Sequence, residues 1–230
     1  MRLTVALVIG LFLAAAIGCD RNRADRTSRA DSAVGTGGES DRNEVTRGDK
    51  SFVRDMAIAN MAEVELAKLV PERSTDDEVK KFAQLMIDDH TSSLNSLKAI
   101  ATQHNIPVPT ELDPRHTRLR DKLAKWHGNE FERNYMDAMI DEHEDMLDEL
   151  EERVDEKRLA EYKAEIADRL AGKKAVERAE LVAILPEKSD NVVTMSLNEW
   201  AANAYPTVRA HVDAARLLKI AVDKRSNATN

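Results

Sequence analysis

The chain has 230 residues, 33% of them charged, with 42 acidic against 34 basic side chains and a formal net charge of −8. Aromatic residues make up only 4%. An acidic chain with few aromatics and no basic stripe is neither a stacking platform for bases nor a binder of the phosphate backbone, so no nucleic-acid partner is expected.

In chain order, Met1-Arg2 opens an apolar run from Leu3 to Ile17 that is short for a membrane-spanning helix. It ends in Ala16-Ile17-Gly18-Cys19, small residues leading to the only cysteine. The pattern resembles a bacterial lipobox, with Ala16 where leucine is commoner. That resemblance implies a lipoprotein signal peptide over 1–18, cleavage before Cys19 and lipid on its sulfur. The membrane would then be a partner through the N-terminal lipid, and the chain would sit in the cell envelope, facing the periplasm or the outer surface. An ordinary secretory signal or an uncleaved anchor is the alternative. With its one cysteine so used, the protein has no internal disulfide and no thiolate left for catalysis or metal. Residues 19–48 carry almost no large apolar side chain and cannot offset their own ordering entropy, so they read as a disordered tether.

The helical domain is expected over 49–222. Val53, Met56, Asn60, Glu63, Ala67 and Val70 share one helical face, and Pro71 ends that helix. A second helix starts after Ser74 or Thr75, with Thr75 and Glu78 as a capping box, and runs to about Ala101 with Val79, Phe82, Met86, His90, Leu94 and Leu97 inward. A polar link, HNIPVPTELDPRH, and a short helical piece through Leu119, Leu123 and Trp126 follow, broken at Gly128. Asn129 and Glu132 read as the next cap. The third main helix carries Met136, Met139, Ile140, His143, Met146, Leu147 and Leu150 inward, and its charge pattern continues helical toward Leu170 with Glu151, Glu152 and Asp155 on solvent. Residues 173–195 fit a loop, a strand pair or a helix. Ser196 and Glu199 form a candidate capping box for the last helix, whose stripe holds Tyr205, Val208, His211, Val212 and Ala215, with Pro206 as an expected kink and a polar tail over 223–230. Four such helices predict an all-α antiparallel four-helix bundle with accessory helices.

Each main helix places one polar residue in its apolar stripe: Glu63, His90, His143 and His211. Each needs a partner when buried. Three imidazoles and a carboxylate match a mononuclear site for a single zinc, iron or manganese ion, with Asp89 and Asp141 as outer acceptors that fix the imidazole tautomers. The alternative is core histidines bonded to carbonyl groups or water. The Glu-x-x-His signature of di-iron bundles is absent, since Ile87, Ile140 and Val208 precede the three histidines by three residues. Met139 and Met146 flank His143 and Met86 precedes His90, a set that suits copper(I) but, spread over three helices, reads as core filling. No serine sits in a nucleophile elbow.

The stretches FVRDMAIANMAEVELAKL, VKKFAQLMIDDHTSSLNSL, IPVP, FERNYMDAMIDEHEDMLDEL and YPTVRAHVDAARLL resemble the bacterial domain of unknown function 4142, over about residues 51–153 and 197–218. The Asp-His-Thr run at 89–91 and the pair Asp141 and His143 carry most of that resemblance. It implies exported proteins or lipoproteins with a ferritin-like helical bundle, polar positions at Glu63, Asp89, His90, Asp141, His143 and His211, and no established activity. An insertion is expected at about 154–195. Tyr205-Pro206 stands where the family has Leu-Pro, which puts a phenol near the site. With no complete catalytic set visible, the sequence reads first as a membrane-tethered structural or interaction bundle, more a non-enzyme than an enzyme and with an unknown protein partner. A metal-binding protein or small metalloenzyme is the alternative.

Overall fold

A computed structural model describes residues 41–170 and 182–228. The expected signal peptide, Cys19, the tether up to residue 40, residues 171–181 and the last two residues of the tail lie outside the described residues. Seven α-helices follow in order: α1 (Arg47–Ala67), α2 (Val70–Arg73), α3 (Asp77–Gln103), α4 (Pro114–Leu123), α5 (Gly128–Glu151), α6 (Glu156–Leu170) and α7 (Val192–Ala228). The fold is an all-α antiparallel bundle in which α1, α3, α5 and α7 form the core and α2, α4 and α6 are accessory. The closest pairings are α5 with α7 and α1 with α3. Among the described residues no helix is long and apolar enough to cross a membrane.

Local chemistry sets the helix ends, in several places away from the expected positions. Thr46 caps α1 in a capping box with Asp49, so the helix begins at Arg47 rather than near Asp49. Asp76, not Thr75, caps α3 by accepting from the backbone N–H groups of Glu78 and Val79. That helix ends in a Schellman turn. Asn105 takes the left-handed conformation (φ 55°), and the Ile106 N–H reaches the Ala101 carbonyl at 2.8 Å. The expected cap at Asn129 and Glu132 does not form. His127 precedes α5 without a side-chain cap bond, Gly128 supplies a positive φ of 55°, and Glu132 accepts from the Ser74 hydroxyl instead. Ser196 lies inside α7, bonded back to the Val192 carbonyl, and the helix continues through Pro206.

The expected extension of the third main helix past Leu150 is interrupted. Between α5 and α6, Val154 pairs with Pro186 in an isolated antiparallel bridge, flanked by Asp155 N–H to Leu185 O (2.8 Å) and Glu187 N–H to Arg153 O (2.9 Å). The pairing draws backbone groups of 153–155 out of the helical ladder, and α6 starts afresh at Glu156. Residues 182–191 thus return along this link before α7 begins.

The core is in two parts. One apolar cluster joins Phe52, Val53, Met56, Leu97, Leu150 and Leu197; the other joins Leu66, Val79, Met86, Tyr135, Met136 and Val222. On α1, α3 and α5 the polar residues Asn60, Glu63, His90 and His143 fall between the stretches that supply these clusters, and on α7 His211 stands at the changeover, beside Val212. Methionines 56, 86, 136, 139 and 146 are buried within the clusters, as core filling requires.

At the α1 end of the bundle, Arg153 donates to Asp49 Oδ1 (2.9 Å) and the Gly48 carbonyl (2.9 Å), and stacks over Phe52. Asp49 is fully buried and also accepts from Thr46 and Thr194. Burial works against its charge, but the hydrogen bonds from Thr46, Arg153 and Thr194 outweigh burial and hold its pKa below the usual carboxylate value. Its contribution to stability is therefore present above about pH 4, the unfolded value, and lost as pH falls through the lower folded pKa. Arg153→Met strands this charge and should cost about 3–5 kcal/mol in urea unfolding, and pairing it with Asp49→Asn should restore much of the loss. A single-variant cost below about 1 kcal/mol would mean that the pair behaves as a surface ion pair.

Candidate metal centre

The three stripe histidines meet. His90 on α3, His143 on α5 and His211 on α7 are each 3% exposed or less, and their ligating nitrogens all lie within 4.8 Å of one another. His90 Nε2 is 3.2 Å from His143 Nε2, and His143 Nε2 is 3.3 Å from His211 Nδ1. Tetrahedral ligands at a metal–nitrogen distance of about 2.0–2.1 Å stand about 3.3–3.4 Å apart, so both distances suit one shared ion.

The outer nitrogens fix the tautomers. Asn60 donates its amide N–H to the Met56 carbonyl (2.7 Å), which turns its oxygen toward His90 Nδ1 at 3.1 Å. His90 therefore carries its proton on Nδ1 and donates to Asn60. His143 Nδ1 donates to the Met139 carbonyl at 2.7 Å. His211 Nε2 donates to Asp89 Oδ2 at 2.9 Å. In its neutral form each ring thus spends its proton outward and turns a bare lone pair inward. Three lone pairs converging in a buried site repel one another unless a cation lies between them, and outward hydrogen bonds of this kind are how proteins orient metal-ligating imidazoles. Three imidazole nitrogens so arranged are a donor set able to hold a metal ion.

Electrostatics agree with that geometry at two of the three rings. Burial, and then the neighbouring His143 and His211, push the His90 pKa well below its ordinary value. Burial also lowers that of His211, although the Asp89 bond acts against it. For His143 burial opposes protonation, but the Glu63 carboxylate outweighs it and raises the pKa. Two of the three rings are held neutral, as ligands must be.

The other expected site residues are placed differently. Glu63 is 1% exposed, and its Oε1 lies 3.3 Å from His143 Nδ1, on the far side of the ring from the converging nitrogens. It is not a fourth member of the inner set. Among the described residues neither Glu63 oxygen has a hydrogen-bond partner, nor does the buried Tyr135 hydroxyl, whose pKa burial and the Glu63 charge both raise. Glu63 instead places a negative charge behind His143. Asp89 serves His211, not the adjacent His90. Asp141 is exposed and stands among other carboxylates, so burial and the charges of Asp137 and Glu144 raise its pKa, and it does not hold His143. The Tyr205 hydroxyl donates to Glu151 Oε1 (2.8 Å), away from the triad. Cys19 lies outside the described residues.

Two features escaped the sequence. Asn60 counts as a stripe member by spacing, but only the turned amide reveals its role. A second polar cluster joins α4 to α5: His116 contacts Asp113 Oδ1 (2.7 Å) and Glu142 Oε2 (2.9 Å), and Arg115 forks onto Glu142 at 2.9 Å through both nitrogens. The available signal was Asp113-Pro114, a helix start with a histidine at its third position. The expectation of more a non-enzyme than an enzyme is corrected by the buried triad, a set able to coordinate a metal that the sequence reading weighed only as the alternative.

The family described as Domain of unknown function (DUF4142) matches residues 35–180. The match runs through the first part of the expected insertion and stops before α7, so it includes His90 and His143 but not His211. No curated protein and no solved structure matches the chain.

Burial resists charging of His116, but the bonds and charges of Glu142 and Asp113 outweigh it and raise its pKa. The stability it contributes is full below the unfolded value of about 6.5 and fades as pH rises through the higher folded pKa. Urea unfolding of wild type and His116→Gln should differ most near pH 6 and least near pH 9. A gap that widens at alkaline pH would refute the charged pairing.

Proposed function

The chain belongs to the DUF4142 family, and from that premise we propose that it is a metal-binding protein holding a single zinc, iron or manganese ion on His90, His143 and His211. One observation carries the reading: the three inward nitrogens converge, while Asn60, the Met139 carbonyl and Asp89 stand to take the proton of each neutral ring on its other side and so leave lone pairs inward. Three protein ligands with a position to spare is the count of a catalytic rather than a structural zinc site, which favours a metalloenzyme over a purely structural bundle. An ion so held acts as a Lewis acid and lowers the pKa of bound water. Glu63 and Asp89 contribute negative charge on two sides of the triad, which suits a divalent cation in an otherwise apolar interior.

Metal content after exposure to zinc, iron, manganese or copper, measured by plasma mass spectrometry, tests this. Wild type should retain about one ion per chain, and His90→Ala, His143→Ala and His211→Ala should each abolish stoichiometric binding, whereas His104→Ala and His127→Ala should not. Wild-type retention below about 0.1 ion per chain for every metal would end the proposal.

The same reading takes the domain to work at a membrane surface. Its support is in the sequence: the apolar run, Ala-Ile-Gly-Cys at 16–19 and the polar stretch that follows. Mass spectrometry of the native N-terminus should find Cys19 first and carrying diacylglycerol. An intact residue 1, or an unmodified Cys19, would remove the anchor from the account.

A further inference from the structure

A pocket of about 230 Å³ opens between α3 and α7, and His90 and His211 lie in its wall while His143 does not. Two of the three triad rings therefore border a space that reaches solvent, and the third is closed off behind them. The rim residues Ser92, Ser96, Asn203 and Thr207 are exposed, so the pocket leads from the surface to the histidines.

The lining has a definite chemistry. Trp200 forms one wall, held by donation from its indole Nε1 to Ser96 Oγ (2.9 Å). The Ser96 hydroxyl is thereby committed, since it also donates to the Ser93 carbonyl (2.8 Å). Among the described residues, the side chains of Ser92, Ser93, Asn203 and Thr207 make no hydrogen bond within the protein, which leaves three hydroxyls and an amide to meet a ligand. No lysine or arginine lines the space, and its one charged group is Asp89. Such walls disfavour an anion and suit a neutral hydrogen-bonding molecule. The volume is below the range of about 300–1,000 Å³ that holds drug-sized ligands, so the ligand is small.

We propose that the α3–α7 pocket is the exogenous-ligand site of the metal centre, admitting a small uncharged molecule with amide, carbonyl or hydroxyl groups to the position left open by the three histidines. This rests on the proposed metal reading, and the test separates the two. The full chain loaded with cobalt(II) in place of the native ion is titrated with acetamide, which stays neutral on coordination, and, separately, with acetate, a probe of the same size that carries a negative charge. The readout is the visible d–d absorption of cobalt.

Wild type should show a cobalt spectrum that acetamide shifts, with acetate at least about tenfold weaker. Ser93→Leu and Thr207→Leu, which fill the pocket from opposite helices, should keep the cobalt spectrum and weaken acetamide about tenfold or more. A wild type with no cobalt spectrum would overturn the metal reading itself. A cobalt spectrum that acetamide leaves unmoved, or that shifts equally in wild type and both filled variants, would overturn the pocket assignment. Loss of the cobalt spectrum from both variants would do so as well, because it would make the pocket part of the coordination rather than its approach. Acetate binding as well as acetamide would overturn the uncharged class.

Discussion

Burying polar groups at mid-height in a helical bundle is the constraint on which this structure turns. Three imidazoles, an amide and a carboxylate lie where a simple bundle would place leucine, and they divide the apolar interior into two separate clusters. Each buried group without a partner costs about 1–3 kcal/mol, so a layer of five tolerates little misregistration. Asn60, the Met139 carbonyl and Asp89 meet that demand for the rings. The apolar clusters above and below act as clamps that hold the four main helices at one height.

The layer is asymmetric, and the asymmetry has chemical meaning. Behind His143 the interior is closed, and among the described residues Glu63 and Tyr135 have no hydrogen-bond partner there. In front of His90 and His211 it borders the α3–α7 pocket, and Asp89, partly exposed, stands at that side. A buried carboxylate with no donor is costly on its own account. Beside a triad able to hold a cation, it would become a counter-charge.

Much of this was legible in the sequence. Apolar residues three and four apart defined the four main helices, and a histidine in three of those stripes is what placed the triad on facing helices. The details that failed did so for geometric reasons. Adjacent residues on a helix point about 100° apart, so Asp89 cannot serve His90 and reaches across to His211 instead. Asp141, two residues before His143, points to the opposite face and is exposed. Tyr205 is more than a turn from His211 and finds Glu151. The break after α5 was invisible because its cause, the pairing of Val154 with Pro186, is a contact between distant parts of the chain. His116 was overlooked for the same reason, since its partner Glu142 is on another helix.

The triad draws its nitrogens from three helices, and the last of them comes from α7, the final helix of the chain. His90 and His143 alone make a two-nitrogen site; the third ligand arrives only when α7 docks against α5 and α3. A chain still being made therefore cannot close the cage, and neither can one shortened before α7. Any ion held by all three rings would therefore be taken up only once α7 is in place, and the metals available around the folded domain at that moment would weigh alongside ligand preference.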